Sequence, residues 1–222
     1  MPAAIHRKSM KSESNGVYEQ VKARLIAQDF PAGQRISIEH LADRLVVSHT
    51  PIREALVRLA AERIINEVPK AGFFAKELSK SEITELYNLQ SLLLQWSLND
   101  AHNGDRAPLR LKPPDLMGEP SEGTSVSPRT AARVMDDLFV HVSSQSGNAD
   151  VIQIVRNIND RTHYIRLKDY EVFGDAEDRL PLLCQSYAQL QFDRLRAGLK
   201  LFFHERMGRL PELIRMLKLG RN

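Results

Sequence analysis

The chain has 222 residues, 42% hydrophobic and 27% charged, which suits a soluble globular protein of one large or two small domains. No run of about 18 apolar residues occurs, so no membrane span is expected. The polar N-terminus, Met1 to Asn15, lacks the apolar segment of a secretory signal. The net charge of +3 is unevenly spread: residues 1–80 hold 13 Lys or Arg against 9 Asp or Glu, the remainder 18 against 19. That asymmetry suits a nucleic-acid-binding unit joined to a neutral partner. The one cysteine, Cys184, cannot form an internal disulfide, which fits a reducing, cytoplasmic setting.

Residues 1–15 read as a flexible tail. Gly16 to Gln28 reads as a first helix with Val17, Val21 and Leu25 in its apolar stripe, ended by Asp29 to Gln34 with its Pro and Gly. Ser37 is placed to cap a helix over Ile38 to Leu45, and Val46-Val47-Ser48 forms a turn. A second helix follows to about Glu62, capped by Ser48 or Thr50, with Pro51 tolerated in its first turn. Ile52, Ala55, Leu56 and Leu59 recur at i, i+3, i+4, i+7 and mark its buried face. His49, Thr50, Arg53 and Val57 fall on another face, and the first three can hydrogen-bond bases or phosphates. Arg44, at the end of the preceding helix, joins them as a DNA-binding candidate.

Ile64 to Val68, Pro69 to Gly72 and Phe73 to Lys76 read as strand, turn and strand. Lys70 is placed to reach phosphate or a minor groove, and Gly72 permits close approach to a backbone. Residues 16–78 therefore read as a winged helix-turn-helix DNA-binding domain.

Ser79 and Glu82 form a capping box that opens a helix to about His102, rich in apolar residues, with Trp96 expected in the core. Residues 103–128 carry five prolines and read as a loop. Helices are then expected over Thr130 to Ser144, Val151 to about Tyr170, Arg179 to Phe192 and Arg194 to Met207. A polar turn is placed at 171–178 and a break at Gly208 to Pro211. No strand is expected beyond residue 80. The fold class is mostly α: a winged helix-turn-helix followed by an all-helical bundle over 79–222.

The strings Pro31-Ala32-Gly33, Leu41-Ala42, Val47-Ser48-His49-Thr50-Pro51-Ile52-Arg53-Glu54-Ala55-Leu56 and Pro69-Lys70-Ala71-Gly72-Phe73-Phe74 resemble the GntR family of bacterial transcription regulators. The chain departs from the family's usual pattern at His49, where an Arg is customary, and at Val46, where a Gly is. Asp137-Leu138-Phe139-Val140-His141 followed by Ser146-Gly147-Asn148 is similar to the family's FadR-type effector domain (FCD). That resemblance implies a divalent metal such as zinc, held by Asp137, His141 and His204. The fourth ligand is missing, because the Leu180 to Ser186 stretch has no His; Cys184 there would favour zinc, and Gln185 is the other substitute. Two polar residues that the subfamily carries on its first helix are replaced by Gln90 and Leu93.

Asp137 and His141 are spaced i, i+4 and project from one helix face, a spacing that serves a shared metal or a simple hydrogen bond between them. Arg161, His163 and Arg166 on the long helix could pair with a carboxylate effector, or be solvated bases. The resemblance implies a ligand-responsive regulator: a homodimer on a pseudo-palindromic double-stranded DNA operator, with a small organic acid as effector. One rival is a constitutive DNA-binding regulator with a degenerate effector site. Another is a metal-dependent hydrolase, which would lack both a clear general base and a complete ligand set, so no enzyme is expected.

Overall fold

The computed structural model describes residues 3–27, 30–103, 109, 126–174 and 176–219. The chain divides into two compact units, Met1–Glu77 and Leu78–Asn222.

In the first unit, α1 (Ala3–Ile26) precedes β1 (Arg35–Ile36), α2 (Ile38–Leu45), α3 (His49–Ala61), β2 (Ile65–Val68) and β3 (Gly72–Ala75). The helix begins at Ala3 rather than near Gly16, which corrects the expected tail. Ala3, Ala4, Lys8, Met10 and Lys11 are good helix formers with no proline among them, and Gly16 alone does not stop the helix. Ser37 caps α2 by accepting from the His40 N–H at 3.1 Å. Ser48 occupies the N-cap position of α3 without a side-chain cap bond. The three strands lie in the order β1-β3-β2, all antiparallel, with Arg35 opposite Phe74 and Asn66 on that residue's other side. The strand β1 escaped the sequence reading because two residues carry no periodicity. Ile52, Leu56 and Leu59 of α3 are fully buried against Val17 and Val21 of α1 and Leu41 of α2. Each such side chain contributes roughly 2 kcal/mol, so the buried stripe fixes which face of α3 remains outside.

The regular elements among the second unit's described residues are all helices: α4 (Lys80–Asn103), α5 (Pro128–Ser144), α6 (Ala149–Phe173), α7 (Ala176–Ala188) and α8 (Phe192–Leu219). Ser127 caps α5 ahead of Pro128, and Asn148 caps α6 by accepting from the N–H groups of Asp150 and Val151. Gly174 closes α6 in the left-handed conformation, so the expected polar turn is shorter than 171–178. Gly208 and Pro211 do not break α8. Leu210 and Leu213 are 1% exposed and hold the helix against the core, offsetting a proline cost of about 3 kcal/mol. The core gathers Phe139, Phe202 and Phe203 with Tyr87, Leu94 and Leu195. Trp96 is not part of it; the residue is 43% exposed on α4. The proline-rich stretch lies outside the described residues apart from its two ends and Leu109, whose N–H and carbonyl both bond the Gln145 side chain.

Candidate nucleic-acid interface and the polar core of the helical unit

Burying Ile52, Ala55, Leu56 and Leu59 turns the opposite side of α3 outward. His49, Thr50, Arg53, Glu54 and Val57 line a groove of about 670 Å³ there, with Ile38 and Glu39 of α2 on its border. Arg53 offers a planar guanidinium, Thr50 and His49 offer short hydrogen-bonding groups, and Val57 is an exposed apolar surface that can meet a thymine methyl. Arg58 also lines this groove, but its guanidinium is engaged by other protein groups. Its guanidinium lies 3.7 Å from the Tyr18 ring centroid, its Nε donates to Glu62 Oε1 at 3.1 Å, and its Nη1 donates to Asn15 Oδ1.

The hairpin after α3 closes with the Ala71 N–H on the Val68 carbonyl, placing Pro69 and Lys70 at the turn. Lys70 takes a left-handed φ of 65° at the tip, and Gly72 follows at 105°. Both residues are therefore on the wing, as the sequence placed them. Arg44 is exposed in the last turn of α2 and does not line the groove.

The proposed metal ligands do not come together. Asp137 points outward and accepts from Arg133 at 3.3 Å. His141 donates from Nδ1 to the Asp137 carbonyl at 2.6 Å and meets Tyr187 edge-on. His204 is exposed on α8, and Cys184 is buried in the apolar core. Among the described residues no three His, Cys, Asp or Glu side chains are grouped to hold a metal. Burial pushes the Asp137 carboxyl above its ordinary range; Asp136 adds to this, while Arg133 and His141 oppose it.

The inward carboxylate is Asp136, one residue earlier. It accepts from His163 Nδ1 at 2.5 Å and pairs with Arg166, whose side chain is fully buried. Asn159 Nδ2 donates to the Asp136 carbonyl, and Gln90 Nε2 donates to Asn159 Oδ1 at 2.6 Å. Thus the three bases expected to meet an effector are all engaged: Arg166 and His163 by Asp136, and Arg161 by Glu82 at 2.9 Å. A fully buried carboxylate, Asp169, receives Arg206 at 3.0 Å and Arg209 at 2.6 Å. Burial pushes the Tyr87 hydroxyl beside these groups up to about 12. Asp136, Asp169, Arg206 and Arg209 were not singled out in the sequence. The one available signal was that Arg166 and Asp169 fall on the apolar face of α6 with Thr162 and Ile165.

A winged helix-turn-helix with a polar, cation-bearing recognition face defines a DNA-binding transcription regulator. The sequence profile described as bacterial regulatory proteins, gntR family, matches residues 13–75. A 150-residue stretch is 29% identical to the Nta operon transcriptional regulator of Aminobacter aminovorans, covering 66% of this chain and 70% of that protein. Another of 174 residues is 24% identical to the regulator McbR of Escherichia coli (strain K12), covering 78% and 65%. In fold, the chain is similar to a GntR transcriptional regulator from Rhodococcus sp. RHA1, with a TM-score of 0.65 at 16% identity over 90% of this chain and 98% of that one. E. coli McbR gives 0.63 at 18% identity over 94% and 98%. Residues 13–75 thus match the helix-turn-helix domain of the gntR family, and the longer matches are to proteins named as transcriptional regulators.

Proposed function

We propose that the protein acts as a homodimer on a pseudo-palindromic operator, and that its helical unit is an FCD-type domain whose effector is a small organic acid. Two recognition helices would enter neighbouring major grooves. The dimer reading rests on Leu89, Leu92 and Trp96, an exposed apolar stripe at i, i+3, i+7 on α4. A second copy covering that stripe would remove it from water. Leu92→Glu should then yield monomers by analytical ultracentrifugation and weaken binding to a two-half-site duplex far more than to a half-site. An unchanged sedimentation coefficient removes α4 from the interface.

The effector reading rests on two buried polar atoms in the Asp136 network. Gln90 Oε1 and Arg166 Nε have no hydrogen-bond partner among the described residues, although both side chains are fully buried. Buried polar atoms are normally satisfied, and a small hydroxy acid offers an acceptor to the guanidinium and a donor to the amide. Its carboxylate would compete with Asp136 for Arg166 and His163. The effector would act by binding one of two regulator states more tightly than the other. A thermal-shift panel of small carboxylic and hydroxycarboxylic acids tests this, with Gln90→Leu as the variant that abolishes the shift. A second reading, a constitutive regulator with a closed core, is favoured by the internal pairing of Arg161, His163 and Arg166. It stands if no acid changes either melting temperature or DNA affinity.

A further inference from the structure

We infer that Arg35, on β1, is a phosphate-contacting residue of the wing, supplying DNA with a positive charge in addition to that of Arg53 on the recognition helix. Arg35 pairs with Phe74 in the antiparallel register, so Gly72 is its diagonal neighbour on the same face of the sheet. The side chain follows that diagonal. A Cβ placed on Gly72 would lie 3.6 Å from Arg35 Nε and 3.8 Å from Nη2. The guanidinium therefore rests on the bare backbone of the wing, beside the turn that carries Lys70. Gly72 takes a φ of 105°, a conformation that L side chains rarely adopt, so the platform stays free of a side chain.

The charge on Arg35 is exposed, and no carboxylate reaches it among the described residues. Arg58 shows the contrast, because its guanidinium is used up on Tyr18, Glu62 and Asn15. On the face that Arg35 crosses, the neighbouring residues are Phe74, Asn66, Gly72 and Val68, none of them acidic. A planar guanidinium held by packing loses less freedom on pairing with a phosphate than a loose lysine does. Arg35 and Lys70 then form a two-cation wing, with Lys70 at the tip and Arg35 one strand back. The phosphate, rather than a base edge, follows from this set-back position.

The test is salt-dependent binding of the full chain to a short mixed-sequence DNA duplex, read by fluorescence anisotropy. Wild-type binding reports on DNA recognition itself, and Arg35 is judged by comparison with it. Neutralising one phosphate contact should lower the slope of log K against log salt by about 0.9 and weaken binding roughly tenfold at ~0.1 M salt. Arg35→Gln should show that loss with an unchanged melting temperature, and Arg35→Lys should keep the slope. A slope that Arg35→Gln leaves at the wild-type value overturns the assignment. So does a loss confined to A·T-rich duplexes, which would mean base-edge reading.

Discussion

Arg166 on α6 sets its guanidinium against the carboxylate of Asp136 on α5, and none of the arginine side chain is exposed. Burial alone would favour the neutral arginine, but Asp136, together with Tyr87 and Tyr170, outweighs that and keeps the base charged. The pair thus ties two helices through a charge that cannot reach water. Asp136→Ala should destabilise the protein by about 3–5 kcal/mol in urea unfolding, because it strands a buried cation. The double variant Asp136→Leu with Arg166→Met should recover most of that loss. If the single and double variants are equally unstable, the pair is not what joins α5 to α6.

Alkaline pH should weaken the fold through Tyr87. Burial raises its hydroxyl to about 12, whereas the unfolded chain titrates near 10, so the folded state favours the neutral phenol. The stabilisation is complete below pH 10 and is lost as pH rises through 12. About 3 kcal/mol is at stake over that window. A tyrosinate absorbance titration should show a late-ionising group that Tyr87→Phe removes. Burial also raises Tyr187, so its ionisation should be delayed in the same direction.

The thiol of Cys184 should be silent in the native protein. Burial pushes it up to about 12, and only the thiolate attacks disulfide reagents. Reaction with an aromatic disulfide at pH 8 should be slow, and should accelerate with urea in step with unfolding. Rapid stoichiometric reaction in buffer would contradict the burial.

Val46 should be a place where stability is easily gained. It is a β-branched residue at a φ of 55°, the left-handed cap of α2, with its side chain 89% exposed. Left-handed backbone costs a side-chain-bearing residue about 1–2 kcal/mol, part of which glycine's greater unfolded entropy takes back. Val46→Gly should therefore raise stability by about 1 kcal/mol, seen as a higher melting temperature. A fall in melting temperature would mean that the valine does something else at this turn.

Arg53 and Arg58, one turn and a half apart on α3, should respond oppositely to removal. Arg58→Ala should cost about 1 kcal/mol of stability through the lost contact with Tyr18 and leave the salt slope of DNA binding intact. Arg53→Ala should leave the melting temperature near wild type and reduce DNA affinity strongly. Equal losses of affinity from both would place Arg58 on the DNA as well.

The helix-turn-helix was legible because its signals are local. A 3.6-residue apolar repeat, Ser37 at a cap position and a Pro-Lys-Ala-Gly turn are each read from neighbours in sequence. The polar core was not, since Asp169 and Arg206 are 37 positions apart and look like ordinary helix-surface charges. The different surroundings of Asp137 and Asp136 have a simple geometric cause. With 3.6 residues per turn, a shift of one position turns a side chain by roughly 100°. Asp137, singled out by the resemblance to an Asp-x-x-x-His helix, is therefore the outward carboxylate, while Asp136 enters the bundle. Gly208 and Pro211 were read as a break because propensity speaks only for the isolated helix. Packing of Leu210 and Leu213 decided otherwise.

Because His49, Thr50, Arg53 and Val57 leave the hydrophobic contacts of α3 to Ile52, Ala55, Leu56 and Leu59, selection can rewrite one set without disturbing the other. A lineage could drift to a new promoter by exchanging groove residues while the domain keeps folding as before. Arg58 is the exception, and so the position most resistant to such retuning. His49 is then a substitution that natural variation could reach at little structural expense.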